Sequence, residues 1–150
     1  MNNTSFRNNC GFGKRMEYFI ISKMLEQNLD VYIPLVDDIG IDAIVRKNDK
    51  SFVQVQIKAR SNEVKDGNAA LFAGITHPER ENYFFILYSQ RLDVMWIFSS
   101  TEFVKLARRN KTGKNTGKYS IKLNGTRKGK EYPLDKYKAF ICEDFEKIFS

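Results

Sequence analysis

From Val53 to Arg60 the odd positions Val53, Val55, Ile57 and Ala59 are apolar, and the even positions Gln54, Gln56, Lys58 and Arg60 are polar. Side chains alternate across a β-strand, so Gln56 and Lys58 project together from one face while the other packs on a core. Just upstream, Gly40-Ile41-Asp42-Ala43-Ile44-Val45 sets an acid at a strand start among apolar neighbours, where Asp has poor β-propensity and costs stability. Pairing Asp42 with Gln56 in an antiparallel hairpin also pairs Lys47 with Ser51. Asn48, Asp49 and Lys50 then form a three-residue loop, a common hairpin solution. Glu17 shares a helical face with Ile20, Ile21 and Met24, an unusual place for a carboxylate without a partner. Two carboxylates, an amide oxygen and a lysine converging beside a sheet suit a hard cation such as Mg²⁺, which takes oxygen ligands and keeps several waters. The lysine would position or deprotonate a water and steady charge growing on a phosphate.

The elements needed to hold these residues follow from periodicity. Apolar positions at spacings of three and four predict a helix from Gly11 to Asn28. Val31 to Val36 is a β-rich run interrupted at Pro34, suited to an edge. Ile41–Arg46 and Phe52–Arg60 form a strand pair. Tyr83–Tyr88 and Val94–Phe98 form a second, apolar on both faces as at a sheet centre. Ser61–Asn68 reads as a polar loop, and Ala69–Ile75 carries no decisive pattern. Ser99 and Glu102 have capping-box spacing, predicting a helix through Arg108. Lys118–Leu123 reads as a strand, and the segment after Pro133 as one or two short amphipathic helices. The order implies an α/β chain with a mixed central sheet flanked by helices.

Composition restricts the partners. The 150 residues are 42% hydrophobic and 29% charged, which fits one domain and excludes a disordered or fibrous chain. Net charge is +7, unevenly spread. Lys105, Arg108, Arg109, Lys111, Lys114, Lys118, Lys122, Arg127, Lys128 and Lys130 occupy one stretch without an acid, while the remainder is slightly acidic. A one-signed segment of this kind attracts polyanions, since neutralising phosphates releases condensed counterions. No apolar run is long enough to span a bilayer, which excludes a helical membrane protein, and Met1–Lys14 lacks a secretory apolar stretch. Cys10 and Cys142 have no zinc-type spacing, and unpaired thiols suit a reducing cytosol. His77 is the sole histidine, so no histidine-based metal site or triad can form; it reads as a loop residue without a catalytic role. Trp96 and the aromatic run at 83–88 read as core, and Gly11 and Gly13 as helix-entry residues.

The ordered set of helix Glu17, Gly40-x-Asp42 and Gln56-x-Lys58 resembles the PD-(D/E)XK nuclease superfamily. It is similar to the branch in which Gln replaces the second acid, as in Mrr-like restriction enzymes. It also resembles the small bacterial group I intron homing endonucleases built on the restriction fold. The resemblance covers about residues 11–100, with 101–150 as a basic elaboration of a single 1–150 domain. It implies a restriction-endonuclease-like core and site-specific hydrolysis of double-stranded DNA in the bacterial cytosol, by a homodimer or dimer of dimers. It implies that Asp42 and Glu17 bind Mg²⁺ or Mn²⁺, that Gln56 supplies a neutral ligand or orients water, and that Lys58 assists the nucleophile. Arg60, Arg108, Arg109, Lys111, Lys114, Lys118 and Lys122 are the expected DNA contacts. Two departures stand out: Gln56 lacks the usual charge, and Ile41 replaces the usual proline. Asp37 and Asp38 are rivals for the motif acid; Asp42 is preferred because it opens the strand paired with Gln56-x-Lys58.

Overall fold

A computed structural model describes residues 9–150. The polar run before Asn9 and the side chain of Cys10 lie outside them. Helix α1 (Asn9–Glu26) begins two residues earlier and ends two earlier than its periodicity predicts. Asn28, at φ 63°, leaves the helix in the left-handed conformation that Asn tolerates, and Leu29 donates its N–H back to the Met24 carbonyl.

Strands β1 (Val31–Tyr32), β2 (Ala43–Asn48) and β3 (Ser51–Arg60) form an antiparallel meander. Its register follows the predicted one from Ala43–Val55 to Arg46–Phe52, then shifts. Asn48 rather than Lys47 faces Ser51, so the loop is a two-residue turn with the irregularity absorbed between Arg46 and Asn48. The Asn48 side chain accepts the Lys50 N–H, a bond that stabilises the tighter turn.

Beyond β3, Leu71–Ile75 is strand β4, although its sequence is indecisive. β5 (Tyr83–Ser89) lies parallel to β3 and antiparallel to β6 (Val94–Ser99), completing a mixed sheet in the order β1-β2-β3-β5-β6. All seven residues of β5 are buried, as its two apolar faces require. β6 is an edge, covered where Trp96 bridges Ile141 and Cys142 donates to the Met95 carbonyl.

The sheet has a core on each face. On one, Ile20, Ile21 and Met24 of α1 pack on Ala43, Val45, Val53, Val55 and Ile57, joined by Phe145 and Ile148. On the other, Phe85, Leu87, Trp96 and Phe98 pack under Phe103, Tyr119 and Tyr137. Phe103 belongs to α2 (Ser100–Leu106), whose Ser99–Glu102 capping box is complete; the helix stops two residues short of Arg108. The chain continues through β7 (Arg108–Arg109), β8 (Tyr119–Lys122), β9 (Asn124–Arg127) and β10 (Lys130–Pro133). The predicted strand at 118–123 is β8, which joins β4 and β7 in a three-stranded sheet. The predicted terminal helices are two 3₁₀ segments, Asp135–Phe140 and Glu146–Phe149. No helix among the described residues is long and apolar enough to cross a membrane.

Candidate active site

Asp42 occupies a bend directly before β2, and its Oδ2 accepts the backbone N–H of Ile57 at 2.7 Å. That bond ties the acid to β3 between Gln56 and Lys58. Burial pushes its carboxyl above the ordinary 3.8, while the Ile57 N–H and the Lys58 charge pull the other way. Glu17 reaches the same place from α1. Its side chain is 21% exposed, and Lys14, one helical turn back, donates to its Oε2 at 3.1 Å. Burial and then the neighbouring charge of Asp42 raise its carboxyl above 4.5. Both acids line a cavity of about 280 Å³ with Lys14, Tyr18, Asp37 and Asp38.

Asp37 and Asp38 share that cavity without the same environment. Both are exposed, and neither resembles Asp42 in taking a β3 amide. Asp42 is thus the acid that the hairpin desolvates, whereas Asp38 remains in water.

Gln56 and Lys58 leave β3 on the face opposite Val55 and Ile57, as their alternation requires. The helix bearing Glu17 packs on the Val55 and Ile57 face. Asp42 lies between these two sets at the end of the hairpin, and its carboxyl responds to the charge of Lys58 while Glu17 responds to that of Asp42. Gln56 is not free: its Oε1 lies 2.9 Å from the Tyr83 hydroxyl, whose single proton is shared between it and the Gly40 carbonyl. Gly40, at φ +77°, leaves room for this arrangement, since a Cβ there would lie 3.3 Å from the Tyr83 oxygen. Burial pushes the Tyr83 hydroxyl up to about 12, keeping it a donor. Arg80 stacks on the Tyr83 ring, 4.3 Å from its centroid.

Lys14, Gly40, Arg80 and Tyr83 therefore surround the chemistry-bearing residues; of these, sequence reasoning placed only Gly40, as the start of Gly40-x-Asp42. Lys14 was legible as the i−3 neighbour of Glu17. Tyr83 and Arg80 were not, because the parallel pairing of β3 with β5 that brings Tyr83 beside Gln54 is a long-range contact.

The expected nucleic-acid contacts divide. Arg108 and Arg109 on β7, Lys111 and Lys114 in the following turn, and Lys122 on β8 are exposed; Lys118 is half-buried. Arg60 is half-buried instead, beside Lys58 and against Leu71–Ile75 of β4, and burial pulls its guanidinium below its ordinary value. Among the described residues, none of these seven forms an ion pair. His77 is in a connection, as expected, but buried: it contacts Ser100 Oγ at 2.6 Å and packs on Tyr83 and Phe85. Burial lowers it to about 4, so it is neutral at ordinary pH.

Among the described residues no three His, Cys, Asp or Glu side chains cluster as a ready metal site. The donor set nonetheless fits a hard cation that keeps most of its waters and takes only one or two carboxylates. Asp42 Oδ2 faces the Ile57 amide, leaving the other oxygen for a ligand, and a nearby cation would relieve the two desolvated carboxyls.

Sheet order, flanking helices and the two cores define an α/β fold around a central mixed sheet. The chain is similar in fold to a solved bacterial homing endonuclease, I-Ssp6803I, with a TM-score of 0.60 and 16% sequence identity over 89% of this chain and 86% of that one. No protein-family model matches the chain, and no curated protein sequence does.

Proposed function

We propose that this chain is a site-specific endonuclease of the PD-(D/E)XK type, in its Gln-x-Lys variant, hydrolysing phosphodiester bonds of double-stranded DNA. A homing role is favoured over an Mrr-like restriction role because a solved protein of similar fold is a homing endonuclease. The observation that carries the reading is that Asp42 and Glu17 line one cavity, with Asp42 anchored to the Ile57 amide between Gln56 and Lys58.

Asp42 and Glu17 would hold Mg²⁺ or Mn²⁺, which when bound supplies Lewis-acid stabilisation of charge on a phosphate oxygen. In the reaction a water oxygen bonds to phosphorus and gives up a proton, one bridging P–O bond breaks, and the departing oxygen takes up a proton. In this reading the Lys58 ammonium would orient that water and offset the growing negative charge. Tyr83 fixes the amide of Gln56, so Gln56 is a positioned neutral group rather than a mobile one. One active site per chain makes one nick, so a double-strand break calls for a homodimer or dimer of dimers on a partly symmetric target.

A second reading has its own observation: Gln56 Oε1 is engaged with Tyr83 rather than open to a cation. That arrangement suits a nucleic-acid-binding module of the same fold that does not cut. Incubating the protein with a library of DNA targets, with and without Mg²⁺ or Mn²⁺, separates the two. Metal-dependent cuts at a defined sequence are expected of the endonuclease; binding without cuts in either metal would leave the silent module.

A further inference from the structure

The sheet face bearing Gln56 and Lys58 is roofed over β5 and β6 by Phe103, Tyr119 and Tyr137. Over β1, β2 and the start of β3 it is open, and Tyr32 and Phe52 are 46% and 45% exposed there. Arg46, facing Phe52 across the strands, is held against both rings. Its guanidinium carbon lies 5.6 Å from each ring centroid, and its Nη2 donates to the Tyr32 hydroxyl at 2.7 Å. The rings meet edge-on at 6.3 Å. Among the described residues no carboxylate pairs with Arg46, and its Nε is buried without a hydrogen-bond partner. A groove of about 680 Å³ adjoins it, lined by Tyr32, Ile44, Phe52, Gln54, Asn82 and Arg80 together with the carboxylate of Glu81. Arg80 likewise forms no ion pair among the described residues.

A guanidinium clamped by two aromatic rings has already given up the rotamer freedom that binding would otherwise cost. It presents its remaining planar donors in the fork that matches phosphate oxygens. A role in folding alone does not require leaving such a charge without an acid partner at a groove. We propose that Arg46, with Arg80 on the adjoining groove, grips backbone phosphates of a DNA duplex laid over this open face. The proposal rests on the endonuclease reading and adds a contact surface separate from the basic segment at 105–130. Lys58 lies six residues beyond Phe52 along β3, about 20 Å at ~3.3 Å per residue. On a duplex laid along β3, that separation corresponds to about six nucleotides of axial rise.

The test is fluorescence anisotropy on a long mixed-sequence DNA duplex, with the metal chelated so that nothing is cut, at a series of salt concentrations. Arg46→Gln, which keeps most of the bulk, is expected to weaken binding and to flatten the log-log salt slope by about 0.9, the share of one neutralised phosphate. Arg46→Lys keeps the charge but not the planar fork, and is expected to retain the slope with intermediate affinity; it gives an independent reading should the Gln variant fold poorly. Wild-type affinity and slope in both variants, from a protein that binds and cuts DNA, would overturn this inference while leaving the endonuclease reading in place. Failure of the wild-type protein to bind the duplex even at low salt would overturn both.

Discussion

At the scale of the residue, Asp42 carries the account, and its burial has a stability consequence. A carboxyl raised in the folded state holds its proton more tightly there than in the unfolded chain. Stability is then lost as pH rises through the interval between the ordinary value, 3.8 for Asp42, and the raised folded one. Asp42→Asn removes the charge at constant size and keeps an oxygen for the Ile57 N–H. Its melting temperature at neutral pH is expected to equal or exceed that of the wild type, with the difference closing as pH falls towards 4, as calorimetry across pH would read. Lys58 is half-buried on the face of β3 that borders the second core, level with Leu87 of β5, and is a member of neither core. Lys58→Ala is expected to lower turnover by about 10²–10⁴-fold, while its unfolding free energy falls by only about 1 kcal/mol.

At the scale of the element, the hairpin was the legible part, because alternation and loop length both act between near neighbours. The pairing of Asp42's strand with Gln56's follows from numbering alone, and only the turn beyond Arg46 differs, where the Asn48 side chain favours a tighter closure. β4 was illegible for the opposite reason. Leu71–Ile75 gains its strand partner from β8, which pairs Leu71 with Lys122 about 50 residues away, and no local pattern announces that. The face assignments of α1 and β3 were each readable; that Glu17 and Lys58 approach Asp42 from opposite faces of the sheet required the packed structure. The basic segment was readable as charge but not as shape: part of it forms β7 and β8, and part a turn that holds Lys111 and Lys114 in water. Replacing Lys111, Lys114 and Lys118 together with Ala is expected to weaken duplex binding irrespective of sequence. The salt slope should flatten by about 0.9 for every phosphate that these lysines neutralise. An unchanged slope would mean that this segment stays in solvent when DNA is bound.

At the scale of the whole molecule, two cores on either side of one mixed sheet fix the end of the hairpin, where the cavity opens. The central claim is that this cavity holds a divalent cation through Asp42 and Glu17 and that the cation is needed for cutting DNA. A cation bound only to the folded state adds stability by mass action, about 2.7 kcal/mol at roughly a hundredfold excess over its Kd. The most direct measurement is therefore the thermal unfolding of wild-type protein and Asp42→Asn at neutral pH over a Mg²⁺ or Mn²⁺ titration, alongside cleavage of a target duplex by the same samples. The expected result is a concentration-dependent rise in melting temperature for the wild type, largely absent in the variant, with cleavage appearing in the wild type alone. Metal-dependent cleavage and stabilisation that survive in Asp42→Asn, but vanish in Asp38→Asn, would contradict the account by moving the site to the exposed acid.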